Sequence, residues 1–126
     1  MAHIALAVRD RERSRRFYET YFGFDPETAR VAEDGVLLLE GPGGFLLALG
    51  ETAEDIRLPG FFHFGFTAAS TPDEVRAFRD RLAADGVPIQ EWWDEPDYVS
   101  VKCRDPDGYV VEFAWEPDEM YESTAE

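Results

Sequence analysis

The chain starts over at its midpoint, and that repeat restricts the fold more than any other feature. His3-Ile4-Ala5-Leu6-Ala7-Val8 alternates large and small residues, as a strand with one buried face does, and Phe62-His63-Phe64-Gly65-Phe66-Thr67 repeats the pattern. His3 maps to His63 at an offset of 60. In the first half a charged entry, Arg9 to Ser14, leads into Phe17, Tyr21 and Phe22 at helical spacing, and Gly23 closes the helix. In the second half Ser70 or Thr71 caps a helix that starts at Pro72, carries a Val75, Phe78, Leu82 stripe and ends at Gly86, an offset of 63 from Gly23. Three strand candidates then follow each helix: Thr28 to Val31, Val36 to Glu40 and Phe45 to Leu49, against Ile89 to Trp93, Tyr98 to Cys103 and Tyr109 to Trp115. The turn Gly41-Pro42-Gly43-Gly44 matches Asp105-Pro106-Asp107-Gly108 at an offset of 64.

Each half therefore reads β-α-β-β-β. Crossovers from strand through helix to strand prefer one hand. Two copies predict an α+β fold, a strongly curved mixed sheet around a cup with the helices outside. The expected organisation is one domain over 1–126: module 1 at 1–50, a polar connector at 51–60, module 2 at 61–116, and an acidic tail at 117–126.

The chain's charge removes whole classes of function. Twelve Lys and Arg stand against 27 Asp and Glu, a net charge of −15. Nucleic acid and anionic membranes both call for a basic footprint, so neither is an expected partner. No apolar run is long enough to span a bilayer, and the N-terminus lacks the apolar core of a signal peptide. The single Cys103 excludes an intrachain disulfide and fits a cytoplasmic location.

Parity assigns the chemistry. If Phe62, Phe64 and Phe66 pack beneath the helices, then His63, Gly65 and Thr67 line the cup. If Val111, Phe113 and Trp115 are core, then Val110, Glu112 and Ala114 line it. Glu112 is the one charge in an otherwise apolar strand, and burying an unpaired carboxylate costs several kcal/mol, on the order of the penalty for a lone buried ion. Both histidines of the chain fall on equivalent strands and share a face with Glu112. Two imidazoles and a carboxylate are a donor set for a divalent transition metal with positions left open. His3, His63 and Glu112 are thus the candidate metal ligands. Taken singly each has a plainer reading: a hydrogen-bonded strand histidine, a frayed N-terminal residue, or a solvated edge carboxylate. Tyr98, Ser100 and Lys102 share the cup face by parity and are the candidate catalytic residues, expected to orient a substrate. Of the adjacent Trp92 and Trp93 one points into the core and one out, in a register the sequence leaves open. Glu91, Asp94, Glu95 and Asp97 read as a solvated loop edge.

His3 to Val8, Phe17-Tyr18 leading to Phe22-Gly23-Phe24, His63-Phe64-Gly65-Phe66, and Asp105-Pro106-Asp107-Gly108 ending in Val111-Glu112-Phe113 together resemble the vicinal oxygen chelate superfamily. That group includes glyoxalase I, extradiol dioxygenases, fosfomycin-inactivating thiol transferases and bleomycin resistance proteins. The resemblance covers nearly the whole chain. It implies paired modules and a homodimer with the site at or near the interface, where one subunit's His3 meets the other's His63 and Glu112. It also implies a divalent ion, Zn, Ni, Mn or Fe(II), that chelates a small oxygen-rich substrate and stabilises an oxyanion or enolate. Lyase or isomerase, dioxygenase and thiol-transferase chemistry all stay open. The fourth ligand of glyoxalase I aligns with Ala48, which can neither bind metal nor carry a proton. The alternative is a non-catalytic protein of the bleomycin resistance kind that sequesters an aromatic or cationic compound.

Overall fold

A computed structural model describes residues 2–118. Among them, two compact units are seen, one of 2–62 with 105–109, the other of 63–104 with 110–118. The acidic tail expected from 117 lies, from 119 onward, outside the described residues.

The first unit contains β1 (His3–Val8), α1 (Arg11–Tyr21), β2 (Asp25–Val31), β3 (Leu37–Glu40) and β4 (Leu46–Glu51). The sheet order is β1-β4-β3-β2, with β1 parallel to β4 and the other pairs antiparallel. Alternation decides the faces. Leu6, Val8, Leu37, Leu39, Leu47 and Leu49 are buried, while His3, Ala5 and Ala7 are exposed on the opposite face. Each fully buried leucine contributes on the order of 1.5–3 kcal/mol. Asp10 starts α1 by accepting the N–H groups of Glu12 and Arg13, both at 3.1 Å. The inner face of α1 is Ser14 and Tyr18, both fully buried, whereas Phe17, Tyr21 and Phe22 are only half-buried. The expected aromatic stripe is thus displaced by one residue, because Tyr18 has a polar partner to reach. Its hydroxyl donates to Asp105 Oδ2 at 2.6 Å.

That partner belongs to the turn Asp105–Tyr109, which packs with the first unit. A buried acid must be hydrogen-bonded, and here it is. Asp105 Oδ1 accepts the backbone N–H groups of Asp107 and Tyr109, both at 2.9 Å. Asp107 accepts from the Arg9 N–H at 3.0 Å, the Arg13 guanidinium at 3.2 Å and the Ser14 hydroxyl at 3.2 Å. Burial pushes the Asp105 carboxyl above its ordinary range, against the opposing pull of Tyr18 and the two N–H donors.

The second unit contains α2 (Pro72–Ala84), β5 (Ile89–Glu95), β6 (Tyr98–Arg104) and β7 (Val110–Trp115), in an antiparallel sheet of order β5-β6-β7. Thr71 is the cap, accepting the Glu74 N–H. Val75, Leu82, Val99, Val101, Cys103 and Val111 are fully buried, and Phe78 meets Phe113 edge-on at 5.2 Å.

The repeat holds down to single hydrogen bonds. Gly41 N–H donates to Phe45 O as Asp105 N–H does to Tyr109 O, both at 2.8 Å. Leu38 faces Ala48 across its ladder as Lys102 faces Glu112. Gly23 and Gly86, just past the two helices, have φ of 73° and 75°, a conformation costly for other residues.

One expectation needs correction. Phe62 to Thr67 is not a full strand and Phe62 does not pack beneath a helix. Pairing there is reduced to a parallel bridge, Phe64 to Val111, in the register that Ile4 and Leu47 hold in the first unit. Phe62 belongs with the first unit, where its ring approaches Tyr109 at 6.4 Å and stays 42% exposed. Beyond Gly65 the segment returns to β7 through one further backbone bond, Ala69 N–H to Ala114 O at 2.9 Å.

Candidate functional site

The site in the second unit is built by three neighbouring strands and the bridge segment. Glu112 sits in mid β7, facing Lys102 across the ladder, while Ser100 faces Ala114 one rung away. Partners directly opposite share a face, so Ser100, Lys102, Glu112 and Ala114 lie together, and Val101 and Phe113 turn the other way. The same logic fixes the tryptophans. Trp93 faces Ser100 and is 46% exposed on the site face, whereas Trp92 faces Val101 on the helix side, beneath the Arg79 guanidinium at 5.3 Å.

His63 is brought in by its neighbour. Phe64 N–H donates to Val110 O at 3.1 Å and Glu112 N–H donates to Phe64 O at 2.7 Å. These two bonds set Phe64 beside Val111, a register that brings Gly65 beside Glu112 and His63 beside Val110, on the same face as Glu112. Gly65 allows the approach, since a Cβ there would stand 2.7 Å from the Glu112 carbonyl oxygen. The outcome is His63 Nε2 at 3.6 Å from Glu112 Oε1, with both side chains about four-fifths buried, 24% and 19% exposed.

Glu112 is held by its other oxygen. Oε2 accepts from the Tyr98 hydroxyl and from the Ser100 hydroxyl, each at 2.5 Å. Burial first, and the Glu112 carboxylate second, raise the Tyr98 phenol above its ordinary range, so it remains a donor at neutral pH. Tyr98 and Ser100 therefore orient a carboxylate. Lys102 Nζ is drawn to Glu91 Oε1 at 3.3 Å, and the Trp93 indole N–H donates to the same oxygen. The indole and then the ammonium hold Glu91 below the usual carboxylate range. Asp94 is turned to α2, where Arg76 takes both its oxygens.

The donor atoms fit a first-row divalent ion. Two donors bound to one ion at about 2.0–2.2 Å stand roughly 3–3.5 Å apart, close to the separation of His63 Nε2 and Glu112 Oε1. Tyr98 and Ser100 supply the outer hydrogen bonds that ligating carboxylates use. Among the described residues, however, no group of three or more His, Cys, Asp or Glu side chains could hold a metal within one chain. The second unit thus offers a two-donor arrangement. His3 lies in the first unit, on the exposed face of β1.

The sequence model of the Glyoxalase/Bleomycin resistance protein/Dioxygenase superfamily matches residues 1–113. The chain belongs to that superfamily. It is 35% identical over 124 residues to the trivalent organoarsenical cleaving enzyme of Bacillus sp. (strain MD1), covering 89% of this chain and 70% of that one. It is 30% identical over 123 residues to the uncharacterized Pseudomonas aeruginosa protein PA2024, covering 91% and 87%. A possible glyoxalase from Bacillus cereus superimposes with a TM-score of 0.71 at 26% identity, covering 90% of this chain and 96% of that one. The fosfomycin resistance protein FosX from Listeria monocytogenes, solved with Mn(II) and 1S,2S-dihydroxypropylphosphonic acid, shares the fold at a TM-score of 0.78. Its identity is 17%, covering 100% of this chain and 97% of that one. No helix among the described residues is long and apolar enough to cross a membrane.

Parity on the sequence found His63, Glu112, Ser100 and Lys102 on one face. It missed the Trp93–Glu91–Lys102 link, because the ladder shifts register between Ile89 and Glu91. A bulge leaves no mark in residue type, so counting along β5 alone does not find it.

Proposed function

We propose that the chain is a metal-dependent enzyme of this superfamily that works as a homodimer on a small oxygen-rich molecule. In this reading His63 and Glu112 of one subunit and His3 of the partner subunit hold a divalent ion, Zn, Ni, Mn or Fe(II). The observation that carries it is the posture of Glu112: two hydroxyls fix Oε2, and Oε1 faces His63. Hydroxyl donors on Oε2 would satisfy any buried acid; what favours a ligand is Oε1, held 3.6 Å from the His63 imidazole, at the spacing of two donors to one ion rather than of a hydrogen bond. A bound ion supplies Lewis acidity, drawing charge from substrate oxygens. Tyr98 and Ser100 keep the carboxylate in one orientation. Lys102, across the ladder from Glu112, stands ready to leave Glu91 for an anionic group of the substrate. Ala48 occupies the register in β4 that Glu112 occupies in β7, so the first module supplies no matching carboxylate. Lyase or isomerase, dioxygenase and thiol-transferase chemistry are all compatible with this set. A cytoplasmic location belongs to the same reading, supported by the single reduced thiol.

The Bacillus relative is named for cleaving trivalent organoarsenicals. Trivalent arsenic is a soft centre that favours thiolates. Cys103, the chain's one cysteine, is fully buried and pairs with Val111 on the core side of β6, away from Glu112. That cysteine therefore offers no thiolate to arsenic at the Glu112 site. One observation favours a second reading, sequestration of an aromatic or cationic compound: Trp93 lies exposed beside the Glu91 carboxylate. Metal analysis of protein purified without an affinity tag, together with His63→Ala, separates the two. The enzyme reading expects stoichiometric divalent metal that the substitution removes, and metal absent from both proteins contradicts it. Dicarbonyls, catechols and thiol-dependent epoxide opening, each tried with Mn, Fe, Ni and Zn, then resolve the reaction.

A further inference from the structure

The first unit carries a second concavity that this reading does not use. It has a volume of about 540 Å³ and is lined by Arg9, Arg13, Asp55, Ile56, Arg57, Pro106 and Asp107. Three guanidinium groups converge there on a chain whose net charge is −15.

The two acids in the pocket play different parts. Asp107 is the floor, with a side chain 0% exposed and its oxygens taken by the Arg9 N–H, the Arg13 guanidinium and the Ser14 hydroxyl. It fixes Arg13 and has no capacity left toward solvent. Asp55 is at the rim, 78% exposed, with Oδ1 at 3.4 Å from Arg9 and Oδ2 at 4.0 Å from Arg57. One carboxylate thus spans two of the three arginines loosely. Arg9 is also tethered by a bond from its guanidinium to Ala53 O at 2.9 Å.

We propose that this pocket binds the phosphoryl group of a small molecule, and that Asp55 is the internal competitor the ligand displaces. Counting the five side chains gives three positive and two negative charges, so the pocket is locally cationic. A carboxylate such as Asp55 has two oxygens and one charge, and reaches two guanidiniums. A phosphoryl group has three terminal oxygens and up to two charges, enough to face all three forks at once. The volume exceeds that of inorganic phosphate and leaves room for the organic remainder of a ligand. The site is independent of the metal reading, since none of its residues is a candidate metal ligand.

The test is calorimetric titration of the full chain with inorganic phosphate, and separately with succinate, at low ionic strength and in excess EDTA. Wild type is expected to bind one phosphate saturably, and succinate at least about threefold more weakly. Arg57→Ala, at a side chain 89% exposed and so without consequence for folding, should weaken phosphate about three- to fivefold. Asp55→Asn should tighten it by about the same factor. The assignment is overturned if phosphate shows no saturable binding, if succinate binds as tightly, or if both variants match wild type.

Discussion

Replacing Tyr98 with Phe deletes one oxygen and leaves the ring. What it removes is a 2.5 Å hydrogen bond to Glu112 Oε2, on a carboxylate whose side chain is 19% exposed. A hydrogen bond to a charged group is worth about 1.5–3 kcal/mol. Partial solvent access and the remaining Ser100 hydroxyl reduce that, to about 1–2 kcal/mol in the metal-free protein. For a domain of this size the loss lowers Tm by roughly 3–8 °C and moves the urea midpoint without changing the slope. If Glu112 ligates metal, the same substitution removes an outer-shell partner and weakens metal binding about 10- to 100-fold. Urea denaturation in EDTA and calorimetric titration with Mn(II) read the two effects separately. Ser100→Ala acts on the same oxygen, so the two substitutions should be coupled by more than about 0.5 kcal/mol in a double-mutant cycle. A Tyr98→Phe protein that loses stability but binds Mn(II) like wild type would refute the orienting role. One that changes in neither measurement would refute the hydrogen bond itself.

Gly65→Ala places a methyl group 2.7 Å from the Glu112 carbonyl oxygen, where only backbone movement relieves it. The expected cost is about 1–3 kcal/mol, read as a lowered urea midpoint, and an unchanged midpoint would show the approach to be looser. Asp105 titrates with an inverted sign. Burial raises its folded pKa above the unfolded value, so the stability it contributes is full below about pH 3.9 and is lost as pH rises through the raised value. Asp105→Asn cannot ionise. The Tm of wild type minus that of the variant should therefore fall as pH increases from about 4, then level off, and a difference that grows over that window would contradict the assignment.

Much of this was legible in the residues. Alternation placed Leu6 and Val8 inside and His3 outside, because a period of two needs no tertiary information. The offset of 64 aligned Ala48 with Glu112 correctly, since turn and ladder repeat together. What escaped depends on contacts between distant segments. Tyr18 looked like a flanking residue of an aromatic stripe until Asp105, far along the chain, gave its hydroxyl a partner. Phe62 looked like strand because its residue type alternates properly, yet it stays with the first unit beside Tyr109. Trp93 could not be told from Trp92, because the shift between Ile89 and Glu91 decides the face. The arginine pocket was invisible for a similar reason: Arg9, Arg13 and Arg57 are ordinary surface residues until the turn at Asp107 draws two of them together.

The central claim is that one carboxylate and two imidazoles share an ion across two subunits. Mixing His3→Ala with Glu112→Ala chains under reassembly conditions tests it. Each parent should be metal-free. A two-fold dimer built from one of each restores one intact site of its two, while the other carries both substitutions. Random reassembly then returns about one divalent ion per four chains, read by elemental analysis of the untagged mixture. That recovery is the predicted result. A mixture as empty as its parents, although each variant remains dimeric by sizing, would contradict the account.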